Sequence, residues 1–317
     1  MVDIIIPVYN SRDVLINALS SICFQNIKDQ LNVIIVDDCS SCDYDDYIDF
    51  YSKFISIKLI KLDKNVGPGC ARNVGIENST SKYIIFLDSD DIFFDSISVQ
   101  KLLGSIEYFD ADLAIGTLLE EKTNGYIPYK GSESWVLGKI YKRSFLIDNN
   151  IRFFDSRMNE DCGFNALVLL SNSKVITVED NVVIWKNNIN SITRKNRTDS
   201  FYKKFKMGYV DNMTLALECA IERGYSNFKI GKLAYDITLY LYYCYLKVNK
   251  NYFNYVLRKA RRIFEINDEY ISYLDEETKK KVSDEQLNAS CNLGFNKDIL
   301  SNSISYKEFV EMVKKMK

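Results

Sequence analysis

The chain has 317 residues, 47% of them hydrophobic and 26% charged, with a formal net charge of −2. That balance excludes a disordered or fibrous protein and leaves one large domain, or one domain with an appendage. Histidine is absent, which excludes Ser-His-Asp and Cys-His catalysis and any His-ligated metal site; acid-base work must fall to Asp, Glu, Lys, Tyr or Cys.

Val2 to Ile6 is a short apolar run ended by Pro7, as expected of a buried parallel strand. Ser11 is a good N-cap, and Val14, Leu15, Ala18, Leu19, Ile22 and Cys23 follow at helical spacing. Val33 to Val36 predicts a second strand ending in Asp37-Asp38. Tyr47 to Phe54 predicts a helix and Ile57 to Ile60 a third strand. Asn65-Val66-Gly67-Pro68-Gly69 is a turn that opens a short helix through Ile76. Tyr83 to Leu87 is then an apolar run that stops at Asp88-Ser89-Asp90-Asp91. Alternation of strands and helices at this spacing predicts a mainly parallel α/β sheet with helices on both faces.

The middle third is less regular. Asp112 to Gly116, Val175 to Val178 and Val182 to Trp185 are predicted strands. From about Phe201 the pattern becomes helical and rich in Tyr and Lys. Residues 1–200 hold 21 basic and 28 acidic residues, a net of −7; residues 201–317 hold 20 and 15, a net of +5. This asymmetry also places a boundary near residue 200.

Three carboxylates in four positions at a strand end repel one another and lose hydration. A hard cation such as Mg2+ or Mn2+ relieves both costs, because it prefers oxygen ligands. Ligands of parallel sheets bind beyond the carboxyl ends of the strands. The ends at Pro7-Val8-Tyr9-Asn10, Asp37-Asp38-Cys39-Ser40 and Asp88 to Asp91 should therefore converge on one crevice. No G-x-G-x-x-G follows the first strand, which disfavours a dinucleotide site. Cys39 and Cys42 form C-x-x-C, but no second pair completes a zinc site, and the eight cysteines read as scattered thiols of a reducing compartment. The N-terminus has no basic n-region. The most apolar stretch, Leu233 to Val248, carries Asp236 and five tyrosines. The expectation is a cytoplasmic protein, peripheral to the inner membrane face at most.

The order of these motifs resembles the family 2 glycosyltransferases. It runs from Ile4-Ile5-Ile6-Pro7-Val8-Tyr9-Asn10 through Val36-Asp37-Asp38-Cys39-Ser40, Asn65-x-Gly67-Pro68-x-x-Ala71-Arg72-Asn73-x-Gly75 and Leu87-Asp88-Ser89-Asp90-Asp91. Gly138 to Arg143 resembles the family's acceptor-side segment, Glu160-Asp161-Cys162-Gly163-Phe164 its E-D-x-x-F motif, and Asn190-Ser191-Ile192-Thr193 a segment near the donor phosphates. The resemblance covers roughly residues 1–200. It implies a GT-A (Rossmann-like) fold, a mixed, mainly parallel sheet flanked by helices, with a C-terminal mainly α-helical appendage over residues 201–317. It implies inverting, hexosyltransferase-type transfer from a nucleotide-sugar, a UDP-sugar first among them, to a glycan or glycoconjugate hydroxyl in bacterial cell-surface polysaccharide synthesis.

The resemblance also implies roles for residues. Pro7 and Tyr9 would shape the base pocket, and Asp37 or Asp38, with Asp37 favoured, would accept a uracil N–H. Asn65 and Arg72 would face the nucleotide and its phosphates. Asp88 would contact the ribose or the Mn2+ or Mg2+, and Asp90 would ligate the metal, as a D-x-D motif. Asp161 would be the general base, oriented by Glu160. Three features depart from the family: Cys39 stands where a Gly is usual, the E-D-x-x-F interior is the small pair Cys162-Gly163, and the late histidine of many relatives is missing. A noncatalytic sugar-nucleotide-binding or scaffold protein on the same fold is the alternative. A nucleotidyltransferase is disfavoured, because Val8 to Arg12 replaces the Gly-rich loop that class needs. Residues 201–317 carry no motif; packing, acceptor binding, membrane contact through Arg258, Lys259, Arg261, Arg262 and Lys279 to Lys281, and self-association through the C-terminal helices are the open roles. Nucleic-acid binding is not expected.

Overall fold

The structure is a computed structural model that describes residues 1–188, 191, 199–247, 250–292, 300 and 303–316. The chain divides into two compact units, Met1–Gly208 and Tyr209–Lys317.

The first unit is built on β1 (Val2–Val8), α1 (Arg12–Cys23), β2 (Leu31–Asp37), α2 (Asp45–Tyr51), β3 (Ser56–Lys61), α3 (Pro68–Asn78) and β4 (Tyr83–Phe86). It continues through β5 (Ile92–Phe93), α4 (Ser98–Tyr108), β6 (Leu113–Lys122), β7 (Gly125–Tyr129), β8 (Lys139–Lys142), α5 (Arg143–Asp148), α6 (Glu160–Leu170) and β9 (Val175–Trp185). The strands form one sheet in the order β3-β2-β1-β4-β8-β6-β9-β5, with β7 paired to β6. The pairs β1–β2, β1–β4, β2–β3 and β6–β9 are parallel, while β8 runs antiparallel to both of its neighbours. The result is a mixed, mainly parallel sheet flanked by helices.

The sequence ends the first strand at Pro7, but β1 runs on to Val8. Ile5 C=O accepts from Leu87 N–H, so alternation puts the missing donor of Pro7 on the β4 flank, where pairing has already stopped at Phe86. Val8 still accepts from Asp38 N–H on the β2 flank. The two predicted strands at Val175 and Val182 are one strand, β9. A register shift against β6 near Thr117 carries it past Glu179-Asp180, the polar pair that looks like a break in the sequence. Ser11 does occupy the N-cap of α1, yet its hydroxyl makes no capping bond.

Asp3 is the one charged residue in the buried body of β1. It accepts from Ser79 Oγ at 2.6 Å, Ser81 Oγ at 2.6 Å, the Thr80 and Ser81 N–H groups at 2.8 and 2.9 Å, and Asn32 Nδ2 at 3.0 Å. Burial alone raises its pKa, but these donors outweigh it and hold the carboxyl below 3.8. Its contribution is therefore present at neutral pH and lost as pH falls through the depressed folded-state value. We expect Asp3→Asn, whose amide cannot accept this many bonds, to cost about 2–3 kcal/mol at neutral pH by urea denaturation, with the deficit shrinking in acid.

The second unit contains the end of α7 (Asp199–Glu222), then α8 (Asn227–Lys247), α9 (Lys250–Tyr270), α10 (Glu276–Asn292) and α11 (Tyr306–Lys315). Within the apolar stretch Leu233 to Val248 on α8, Ile237, Leu241 and Tyr245 are buried, while Leu233 is half-buried and Val248 lies outside the described residues. Tyr242 and Tyr243 are buried as well. The Tyr242 hydroxyl donates to Ile304 C=O at 2.8 Å and its ring lies 5.4 Å from Phe309. Helix α8 is thus covered on more than one face, by α9, α10 and α11, and the tyrosine hydroxyls find partners there. Ser305 and Glu308 form a reciprocal capping box at the start of α11. Arg261 and Arg262 pair with Glu265 on their own helix, and Lys279 with Glu276. Among the described residues no helix is long and apolar enough to cross a membrane.

Candidate active site

The loops after β1 and β2 are tied to each other. Asn10 N–H donates to Ser40 Oγ at 2.9 Å, and Asn10 Oδ1 accepts from Ser41 N–H at 2.8 Å. Asp37, the last residue of β2, accepts Ser40 N–H at 2.9 Å and is buried. Pro7 is half-buried beside it and Tyr9 is exposed. Between them Cys39 adopts φ +64°, the left-handed conformation in which a Cβ is costly. The position at which the family's usual residue is Gly thus has, in this chain, a backbone conformation that glycine adopts freely. We expect Cys39→Gly to raise stability by about 1 kcal/mol in denaturant melts, since only the weak contact of its thiol with Asp63 C=O is lost.

Asp38 is committed to the neighbouring loop. Its two oxygens accept Val66 N–H at 2.6 Å and Gly67 N–H at 2.8 Å. Asn65 Nδ2 donates to Asp38 C=O at 3.1 Å, and Arg157, which sequence reasoning passed over, donates to both the side chain and the carbonyl of Asn65. Gly67 stands at φ +92° and Pro68 opens α3 at its first turn. This turn aims α3 so that Arg72 points into the protein.

The guanidinium of Arg72 is the hub of the site. With its side chain only 4% exposed, it donates from NH2 to Asp88 at 2.6 Å and from NH1 to Glu160 at 2.8 Å and Asp161 at 3.2 Å. Its Cζ lies 5.4 Å from the centre of the Phe153 ring, and Phe153 stacks on Phe164 at 4.0 Å. Burial works against the charge, but three carboxylates more than compensate and raise the Arg72 pKa. Gly69 lets α3 approach α6 this closely: a Cβ there would lie 2.9 Å from Glu160 Cγ. Arg72 therefore joins the mouth of β4, through Asp88, to the first turn of α6, through Glu160 and Asp161. The positive end of the α6 dipole also favours the two acids.

Asp161 is held from two sides, since its second oxygen accepts Val136 N–H at 3.2 Å. One arginine against three carboxylates leaves an excess of negative charge in a buried place. Burial first, then Glu160 and Asp88, push the Asp161 carboxyl up against the pull of Arg72, to about 7. On β8, Lys139 is buried and its ammonium donates to Trp135 C=O; burial lowers its pKa to about 7. Burial likewise pushes the Cys162 thiol to about 12, so it stays protonated and unreactive. Lys139 falls in the segment that resembles the family's acceptor side, but nothing in the sequence gives it a role of its own, and Asn165 follows the E-D-x-x-F motif without one. Lys139 opens the short strand Lys139–Lys142, and the antiparallel placement of β8 between β4 and β6 buries it.

Asp90 accepts from Asn188 Nδ2 at 2.8 Å, and the buried Asp91 from Lys186 N–H at 2.8 Å, so the acidic run is laced to the chain after β9. Among the described residues no three metal-ligating side chains cluster. Asp88 and Asp90 nevertheless present two hard oxygen donors at one strand end. That is the share a protein supplies to Mg2+ or Mn2+ when substrate phosphates and water complete the shell, so the residues fit such an ion without a histidine. Of Asn190 to Thr193, only Ser191 lies within the described residues.

In Bacillus subtilis, the minor teichoic acid biosynthesis protein GgaA is 27% identical over 310 residues, 86% of this chain and 66% of that protein. The Staphylococcus aureus poly(ribitol-phosphate) beta-N-acetylglucosaminyltransferase TarS is 25% identical over 198 residues, 56% of this chain and 34% of that protein. An uncharacterized glycosyltransferase of Rickettsia felis is 42% identical over 100 residues, 31% of this chain and 16% of that protein. The chain thus spans only part of the length of the curated relatives it matches. Among solved structures, S. aureus TarS 1-349 in complex with UDP superposes with a TM-score of 0.61 at 17% identity, over 91% of this chain and 89% of that one. The mannosyltransferase PcManGT of Pyrobaculum calidifontis, in complex with GDP-Man and Mn2+, superposes with a TM-score of 0.55 at 12% identity, over 98% and 83%. At these identities the likeness concerns the fold, which is that of the GT-A glycosyltransferases. The family model described as glycosyl transferase family 2 matches residues 3–166, which carry the strand ends, the Arg72 hub and both acids of α6, and the chain belongs to that family.

Proposed function

We propose that the chain transfers a sugar from a nucleoside-diphosphate donor, a UDP-sugar, to a hydroxyl of a glycan or glycoconjugate in the synthesis of a bacterial surface polymer, with inversion at the anomeric carbon. The observation that carries this reading is the Arg72 hub, which ties Asp88 on the donor side to Asp161 on the other. The relatives support the polymer class, since GgaA and TarS are named for teichoic acid synthesis and for poly(ribitol-phosphate) glycosylation.

In the proposed reaction Tyr9, Pro7 and Asp37 line the base pocket. Asp161 accepts the proton of the acceptor hydroxyl as that oxygen attacks the anomeric carbon. The bond from that carbon to the diphosphate breaks on the opposite face, and its electron pair leaves with the nucleoside diphosphate. A single displacement inverts the centre. A divalent cation bound at Asp88 and Asp90 would supply positive charge against the phosphates. Glu160 and Arg72 hold Asp161 in place. A carboxyl poised near neutral pH is an effective base, because its proton affinity is high while a large share is still ionised.

The test is nucleoside-diphosphate release from a panel of UDP-sugars with Mn2+ or Mg2+, each repeated with EDTA. Slow release from one donor, abolished by chelation, is the expected result. Absence of both release and calorimetric UDP binding would sink the donor assignment.

A further inference from the structure

The segment before β8 is fastened at three successive residues. Asn165 Nδ2 donates to Ser134 C=O at 3.0 Å, the Lys139 ammonium donates to Trp135 C=O, and Val136 N–H donates to Asp161 at 3.2 Å. Asn165 is itself fixed by the Tyr141 hydroxyl at 2.8 Å. Enclosing a lysine to hold one carbonyl is expensive, so this placement is one that the fold enforces. What it places is the ring of Trp135.

That ring is half-buried, in a loop whose preceding residues Glu133 and Ser134 are exposed. It stands edge-on to Tyr129 at 4.9 Å and 5.5 Å from Trp185, so the chain's two tryptophans meet here. Trp185 closes β9, and the residues just after it hold the acidic run: Lys186 N–H on Asp91 and Asn188 on Asp90. One tryptophan is therefore one residue from a group bonded to Asp161, and the other is one residue from a group bonded to Asp91. The pair thus adjoins chain segments bonded to each side of the proposed site.

We propose that Trp135, backed by Trp185 and Tyr129, is an acceptor subsite that takes the apolar C–H face of a pyranose ring. This rests on the transfer reading above. An indole offers a broad, rigid apolar surface at little entropic cost, and the C–H face of a pyranoside complements it. The acceptor is the occupant, not the donor sugar, because the loop hangs on Asp161, the group that must reach the acceptor hydroxyl. Asn165 and Lys139 are positioning residues, acting through the backbone of residues 134 to 136.

The test uses the full chain with UDP present and two probes, methyl β-D-glucopyranoside and methyl N-acetyl-β-D-glucosaminide, with ribitol phosphate as the acyclic comparator. Calorimetry should show saturable binding of at least one glycoside at millimolar concentration. Trp135→Leu should weaken that affinity about tenfold or more, while calorimetric UDP affinity stays as in the wild type. Trp135→Phe, which keeps a ring and folds with a melting temperature near that of the wild type, should lie between the two. Equal glycoside affinity in Trp135→Leu, binding of ribitol phosphate alone, or a loss of UDP-sugar affinity instead of glycoside affinity would each overturn the subsite. Glycoside binding through Trp135 without any UDP binding would keep the subsite and remove the transfer reading. UDP binding with no glycoside response would do the reverse.

Discussion

Asp161→Asn is expected to lower sugar transfer by about 10²–10⁴-fold, the usual range for loss of a positioned general base, while UDP-sugar binding and the melting temperature hold. The amide keeps the size of the carboxyl and its single oxygen can still accept from Arg72, so the hub stays closed, while Val136 N–H, which bonds the second carboxylate oxygen, loses its partner. It also removes one of three negative charges from a buried place with a single arginine, which offsets any loss of ion pairing. In the proposed reaction Asp161 must be ionised, and burial raises its pKa from 3.8 to about 7. Activity with acceptor should therefore fall as pH drops below about 7, and Asp161→Asn should flatten that limb of the profile. A variant that transfers at the wild-type rate would remove Asp161 from the chemistry.

Arg72→Met is expected to have the largest effect on stability. It leaves Asp88, Glu160 and Asp161 facing one another without their shared cation, and removing one partner of a buried pair costs about 3–5 kcal/mol. Guanidinium or urea denaturation measures the loss directly. The double variant Arg72→Met with Asp161→Asn should recover part of it, because one of the stranded charges is gone; strict additivity would mean that the two residues do not interact. Arg72→Lys should fall between, since an ammonium on a flexible stem cannot reproduce a planar fork that serves three carboxylates.

The sequence alone assigns Arg72 to the donor phosphates on the strength of resemblance. The structure gives its NH1 and NH2 groups to three carboxylates from β4 and α6, which are far apart in the chain. Lys139 and Asn165 were illegible for the same kind of reason: each acts on the loop of residues 134 to 136, and their importance lies in what the sheet brings beside them. Asp37 and Asp38 look interchangeable in sequence. In the fold Asp38 spends both oxygens on the turn before α3, while Asp37 caps its own loop.

The parallel half of the sheet, the acids at the strand ends and the family are all legible in consecutive residues. Apolar runs that stop at polar clusters are local signals, written in consecutive residues. The antiparallel run of β8 between β4 and β6, the union of two predicted strands into β9 and the burial of Arg72 among three acids emerge only in the folded chain. These depend on pairings between distant segments, and on burial that turns a surface-type residue into an internal cation. Side-chain periodicity reports neither, because it records which face of an element is apolar and not which partner covers it.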